Sequence, residues 1–101
     1  MIECTHNLIE NGDIMDNVLS HITNIGQKFN IKDVLFGSRA RKDNTPKSDY
    51  DVAFYTPLNF TVLEEIDNIE TLHKIDVVFI DENTNVKLLE NIEKDGVILY
   101  E

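Results

Sequence analysis

The sequence predicts an α/β domain in which helices pack on a β-sheet. Three observations predict it. Stretches of helical period alternate with short β-branched runs, and Gly or Pro closes several of the joins. The chain is also a single domain by size, 101 residues with 42 % hydrophobic content, enough for one core.

Residues 1–11 carry no clear period and are assigned to no element. From Asp13 onward, Ile14, Val18, Ile22, Ile25 and Phe29 recur at steps of three and four, with Met15 and Leu19 widening the stripe. This spacing predicts an amphipathic helix, with Asp13 as its N-cap. Residues 31–36 (IKDVLF) are short and β-branched and end at Gly37, which predicts a strand. Residues 38–48 (SRARKDNTPKS) form a polar connection holding the turn formers Asp43, Asn44 and Pro46.

A second strand is expected over residues 51–56 (DVAFYT), closed by Pro57. Leu58, Val62, Ile66 and Ile69, with Leu63 beside them, step at helical intervals and predict a helix within residues 58–72. Residues 75–80 (IDVVFI) form the most strand-like run of the chain. Val86, Leu89 and Ile92 predict a helix within residues 83–95, stopped by Gly96, and residues 97–100 add a last strand. Strand order cannot be read from this alternation.

Charge narrows the function. Nine basic and nineteen acidic residues give a net charge of −10. Such a chain repels duplex DNA and anionic membrane, because nonspecific nucleic-acid affinity rests on cations that displace counterions. It suits metal cations or a basic partner. The lone Cys4 cannot close an internal disulfide, and the N-terminus lacks the cationic start and apolar stretch of a secretory signal. No apolar run approaches the ~18 residues of a membrane span. We therefore expect a cytoplasmic protein.

The chemistry lies in residues 34–55, VLFGSRARKDNTPKSDYDVAFY. Asp49 and Asp51 are two apart at a strand entrance, so both carboxylates point to one face, about 6–7 Å apart along the strand, with Tyr50 and Val52 on the other. Asp is depleted in strands, yet Asp51 precedes Val52-Ala53-Phe54 and Asp76 interrupts Ile75-Asp76-Val77. On its own a D-x-D at a strand entrance is a solvated edge. A third in-strand Asp changes the reading. If the two strands pair at about 4.8 Å, three carboxylates converge on one patch, and a divalent cation relieves their repulsion. Oxygen-only donors favour Mg²⁺ or Mn²⁺, and two ions about 3.5–4 Å apart fit carboxylates so spaced.

Gly37-Ser38 alone is an ordinary turn whose Ser caps a short helix. The charge that follows tips the balance. Arg39, Arg41, Lys42 and Lys47 are four of the nine cations; with Asp43 they leave residues 38–48 at +3, and the remainder of the −10 chain at −13. A cationic loop after a Gly-Ser turn is a suitable cradle for polyphosphate. An anion cradle followed at once by a metal-carboxylate cluster is what phosphoryl or nucleotidyl transfer needs. No Walker loop occurs.

The remaining features are read as structural. His6, His21 and His73 have no paired metal spacing, and Cys4 has no evident base partner. Glu64, Glu65, Asp67 and Glu70 form the solvated face of a helix.

Leu35-Phe36-Gly37-Ser38-Arg39-Ala40-Arg41, followed by Ser48-Asp49-Tyr50-Asp51-Val52 and later Ile75-Asp76-Val77, closely resembles the minimal nucleotidyltransferases of the DNA polymerase β superfamily. The resemblance covers about residues 31–101. It implies a small mixed β-sheet backed by helices. Gly37 and Ser38 would hold the β- and γ-phosphates of a nucleoside triphosphate, with Arg39, Arg41, Lys42 and Ser48 completing the phosphate-binding set. Asp49 and Asp51 would bind two Mg²⁺ ions. Asp76 would complete one metal site and help deprotonate the acceptor hydroxyl, which attacks the α-phosphorus of ATP and expels pyrophosphate. The family commonly carries Gly where this chain has Lys42; Gly there takes a positive φ at no steric cost, and Lys does not.

Larger relatives add a helical region that binds the acceptor, and none follows here, so the resemblance leads us to expect an acceptor on another chain. It implies a separately encoded helical HEPN-like protein, with transfer of AMP to a tyrosine hydroxyl of that toxin silencing it. Two alternatives stay open: a catalytically idle acidic antitoxin that neutralises its partner by binding, and a small-molecule nucleotidyltransferase whose pocket forms in a homodimer. Homo- or hetero-oligomers fit these readings.

Overall fold

The computed structural model describes residues 17–101. The N-cap expected at Asp13, the apolar positions Ile14 and Met15, and Cys4 and His6 lie outside the described residues. The elements, in chain order, are α1 (Asn17–Phe29), β1 (Asp33–Phe36), α2 (Ser38–Arg41), β2 (Tyr50–Phe54), α3 (Phe60–Asp67), β3 (Ile75–Phe79), α4 (Val86–Asp95) and β4 (Val97–Tyr100).

The four strands form one mixed sheet in the order β3-β2-β1-β4. β1 runs antiparallel to β2, with Leu35 opposite Val52 and Phe36 opposite Asp51. β4 runs antiparallel to β1 on its other side, with a register shift between Asp33 and Val34. β2 and β3 are parallel, a pairing that requires the crossover supplied by α3.

Alternation along the strands sorts the core into two faces. Leu35, Tyr50, Val52, Phe54 and Leu99 pack with Val18, Ile22 and Ile25 of α1 and Val62 and Ile66 of α3. Val34, Ala53 and Ile80 pack on the opposite face with Ile92 of α4. Val52, Phe54, Ile22, Val62 and Ile92 are wholly buried. Each such side chain contributes roughly 1.5–3 kcal/mol over its exposed state.

The ends of the helices follow local chemistry. Asn59 caps α3 by accepting from the Thr61 and Val62 N–H groups at 3.0 and 3.1 Å. Asn85 caps α4 the same way, accepting from Lys87 and Leu88 at 2.8 and 3.2 Å. α1 ends in a Schellman motif: Asn30 takes a φ of 56°, and the Ile31 N–H reaches the Gly26 carbonyl at 2.8 Å. α4 stops at Gly96, where the backbone becomes extended.

All four expected strands and the three long helices are present among the described residues, with several ends differing by a few residues. β1 begins at Asp33 rather than Ile31, and β2 begins at Tyr50, leaving Asp49 one residue before it. The polar connection 38–48 contains the short helix α2. α3 is shorter than its apolar period suggests: its last i→i−4 bond is donated by the Asn68 N–H to the Glu64 carbonyl, and the next N–H, of Ile69, reaches the Ile66 carbonyl instead.

Candidate active site

The register of β2 and β3 builds the centre of the site. Asp51 and Asp76 are Cα partners across the parallel ladder, so their side chains leave the same face of the sheet side by side. This is the face opposite Tyr50, Val52 and Phe54, whose burial under α1 and α3 forces the carboxylates outward. Asp49, in the segment leading into β2, adds a third negative charge felt at Asp51.

The phosphate-loop candidate adjoins this centre. Gly37 follows β1 with a φ of 78°, which an L side chain rarely adopts. A Cβ on Gly37 would also overlap the Asp51 carboxylate. Glycine is thus required twice, by its dihedral and by the approach of Asp51. Ser38 opens α2, and the Gly37 carbonyl accepts from Ala40 and Arg41 at 3.1 Å each.

Burial raises the Asp51 carboxyl above the usual carboxylate range, and the charges of Asp76 and Asp49 raise it further. Arg41 and Lys74 oppose that rise. Lys74 lies 3.4 Å from Asp76 at the open end of β3, and Arg41 reaches Asp43 at 3.2 Å. These are exposed pairs of the kind worth about 0–1 kcal/mol, so either cation can be drawn away by a stronger anion.

The cations of the loop therefore take different places. Arg41 acts electrostatically on Asp51. Arg39 turns the other way: its Nε donates to the Ser48 carbonyl at 3.1 Å and its Nη2 to the Pro46 carbonyl at 3.3 Å. The Ser48 hydroxyl accepts from the Thr45 N–H at 2.9 Å and closes the turn before Asp49. Lys42 sits at the C-terminus of α2 with a φ of 67°, and the Asp43 N–H bonds the Ser38 carbonyl at 3.1 Å. Lys42 thus holds the left-handed position at which the resemblance leads one to expect Gly.

The donor set suits a hard divalent cation: oxygen ligands, two of them in register, and a partly buried carboxylate whose neighbours Asp49 and Asp76 are also negative. As placed, no group of three His, Cys, Asp or Glu side chains among the described residues closes into a ready-made metal cage. Asp76 instead faces Lys74, which an arriving cation would displace. The residues fit such an ion by chemistry and register. Two surface hollows, one between α1 and α3 and one beside His73, are not lined by Asp49, Asp51 or Asp76.

The polymerase beta nucleotidyltransferase family ("Polymerase beta, Nucleotidyltransferase") matches residues 17–101. The chain belongs to that family. Its fold is also similar to the crystal structure of a candidate nucleotidyltransferase from Sulfolobus solfataricus, with a TM-score of 0.50 and 22 % identity over 80 % of this chain and 78 % of that one. No curated protein matches. Of the expected site residues, the structure brings Gly37 against Asp51 and sets Asp51 in register with Asp76. What spacing did not disclose is Arg39, whose charge suggested phosphate and whose donors face carbonyls. No described helix is long and apolar enough to cross a membrane.

Proposed function

We propose that the chain is a Mg²⁺-dependent nucleotidyltransferase that moves AMP from ATP to a hydroxyl of a partner protein. The observation that carries the reading is the contact of the Gly37 turn with Asp51, itself in register with Asp76. A triphosphate held at that turn lies beside carboxylates able to hold the ions it carries.

In this reading the backbone of Gly37 and Ser38 and the charges of Arg41 and Lys42 bind the β- and γ-phosphates. Asp49 and Asp51 hold Mg²⁺, or Mn²⁺, with Asp76 shared between one ion and the acceptor. Bound Mg²⁺ supplies charge neutralisation on the phosphates and lowers the pKa of the attacking hydroxyl. Asp76, whose side chain is partly exposed, would take the proton of the acceptor hydroxyl. The new bond joins the acceptor oxygen to the α-phosphorus, and pyrophosphate leaves with the pair of electrons of the broken P–O bond.

The acceptor class rests on the resemblance to minimal nucleotidyltransferases paired with helical HEPN-like proteins, whose tyrosine hydroxyl would take the AMP. The acidic surface outside the loop suits a basic partner. Incubation with α-labelled ATP, Mg²⁺ and the products of the adjacent genes should move label onto one of those proteins. Absence of transfer, or transfer that survives the double change Asp49→Asn with Asp51→Asn, overturns the enzymatic reading.

One observation favours a second reading, an idle antitoxin that acts by binding. Lys74 stands 3.4 Å from Asp76 and supplies positive charge beside it without a metal ion. In that case inhibition of the partner needs no ATP and survives Asp51→Asn.

A further inference from the structure

We infer that Arg39 is a positioning residue for Asp49, holding the peptide that carries this carboxylate before any nucleotide arrives. The inference rests on the nucleotidyltransferase reading above and assigns to Arg39 a task other than gripping phosphate.

The geometry is direct. The Ser48 carbonyl, which accepts from Arg39 Nε at 3.1 Å, belongs to the peptide group joining Ser48 to Asp49. The second donor, Nη2, takes the Pro46 carbonyl at 3.3 Å. One guanidinium thus clamps both ends of the turn that leads into the carboxylate pair. Its planar fork suits two carbonyls at once, which the point charge of a lysine does not reproduce.

The guanidinium is held in its turn. Its Cζ lies 4.0 Å from the centroid of the Tyr50 ring, a stacking distance for a cation on an aromatic face. Tyr50 is buried, and its ring meets His73 edge-on at 5.5 Å. The Tyr50 N–H donates to the Lys74 carbonyl at 2.9 Å, which ties this residue to the entrance of β3. Arg39, Tyr50 and His73 therefore join three segments: α2 after the Gly37 turn, the start of β2 between Asp49 and Asp51, and the approach to Asp76.

Division of labour within the loop supports the assignment. Arg41, two residues on, is the arginine whose charge reaches Asp51. Arg39 spends its directed donors on backbone. Groups that orient a metal-binding side chain from behind cost about 10–100-fold in metal affinity when removed.

The test is Mn²⁺ binding by the full chain without nucleotide, followed by the resonance signal of the free ion, with thermal unfolding run in parallel. Arg39→Lys keeps the charge and most of the packing; it should weaken Mn²⁺ binding about tenfold, as should Arg39→Met. Tyr50→Phe, which keeps the ring face, should retain wild-type affinity, whereas Tyr50→Leu should lose it with Arg39 still present. If Arg39→Lys binds Mn²⁺ like the wild type and loses only triphosphate affinity, Arg39 is a phosphate contact and the inference falls. If the wild type binds no Mn²⁺, or binds it equally after Asp51→Asn, the metal-carboxylate reading falls and takes this inference with it. The Lys variant decides the matter even where Arg39→Met or Tyr50→Leu fails to fold.

Discussion

Asp51 and Asp76 stand opposite one another on adjacent parallel strands, both on the sheet face opposite α1 and α3. Two like charges brought together by backbone pairing are unfavourable to the fold. Burial of Asp51 adds to the cost. A sheet that keeps this pair carries a local excess of negative charge, which the divalent cation of the proposed function would offset. Function and stability therefore pull against each other at Asp51.

That opposition is measurable. Asp51→Asn should raise the thermal midpoint at neutral pH in the absence of divalent ions, since it removes an ionised group whose pKa the fold raises. If the chain works as proposed, the same change should lower AMP transfer by about 100-fold or more, the scale seen when a key electrostatic group is lost. A variant that is less stable and equally active would refute both halves.

Gly37 faces a double constraint. Gly37→Ala places a methyl group against the Asp51 carboxylate and forces an L side chain to a φ of 78°. The dihedral alone, in a region essentially restricted to glycine, costs about 1–3 kcal/mol. Denaturant unfolding should show at least that loss. Mn²⁺ affinity should fall too, because relief of the overlap moves Asp51 away from Asp76. Retention of full affinity would show that the turn, not the carboxylate, gives way.

Lys42 poses the converse case. It already holds a left-handed conformation, with a φ of 67°. Lys42→Gly removes a strain of about 1–2 kcal/mol but increases the entropy of the unfolded chain by about 0.4–1 kcal/mol. The net expectation is a gain of about 0.5–1 kcal/mol in urea unfolding. A loss would mean that the Lys42 side chain contributes contacts worth more than its backbone strain.

Much of this was legible in the sequence because it is local. Helical period, β-branched runs and turn residues located the elements, and the in-strand Asp51 and Asp76 stood out against β-propensity. The order β3-β2-β1-β4 was not legible, since it depends on which distant strands meet. Nor was the direction of Arg39: +3 on a loop announces a cation, while the carbonyls of Pro46 and Ser48 claim its donors only after the turn has folded. Asp33 was missed although a signal existed. It alternates in phase with Ile31 and Leu35, both on the α1 face of the sheet, so period two alone points it inward.

Asp33 supplies the last test. Its side chain has no exposure, neither carboxylate oxygen meets a partner at hydrogen-bonding geometry, and Gly26 of α1 leaves just enough room for it. Burial pushes the carboxyl up from 3.8 to about 8, although the nearby Asp33 and Tyr100 backbone N–H groups offset part of the penalty. Below about pH 4 the group is neutral in both folded and unfolded chains and costs nothing by ionisation. Between about 4 and 8 the unfolded chain gives up its proton while the folded one keeps it, so stability falls as pH rises. Every tenfold change in an acid dissociation constant corresponds to about 1.4 kcal/mol, which makes the effect several kcal/mol at its full extent. Asp33→Asn, of nearly the same shape and unable to ionise, should match the wild type near pH 4 and exceed it increasingly up to pH 8. Urea unfolding of the two proteins across that range reads the difference directly. Parallel curves would mean that Asp33 is ionised in the folded chain, and that a cation or water satisfies it at the β1–β4 register shift.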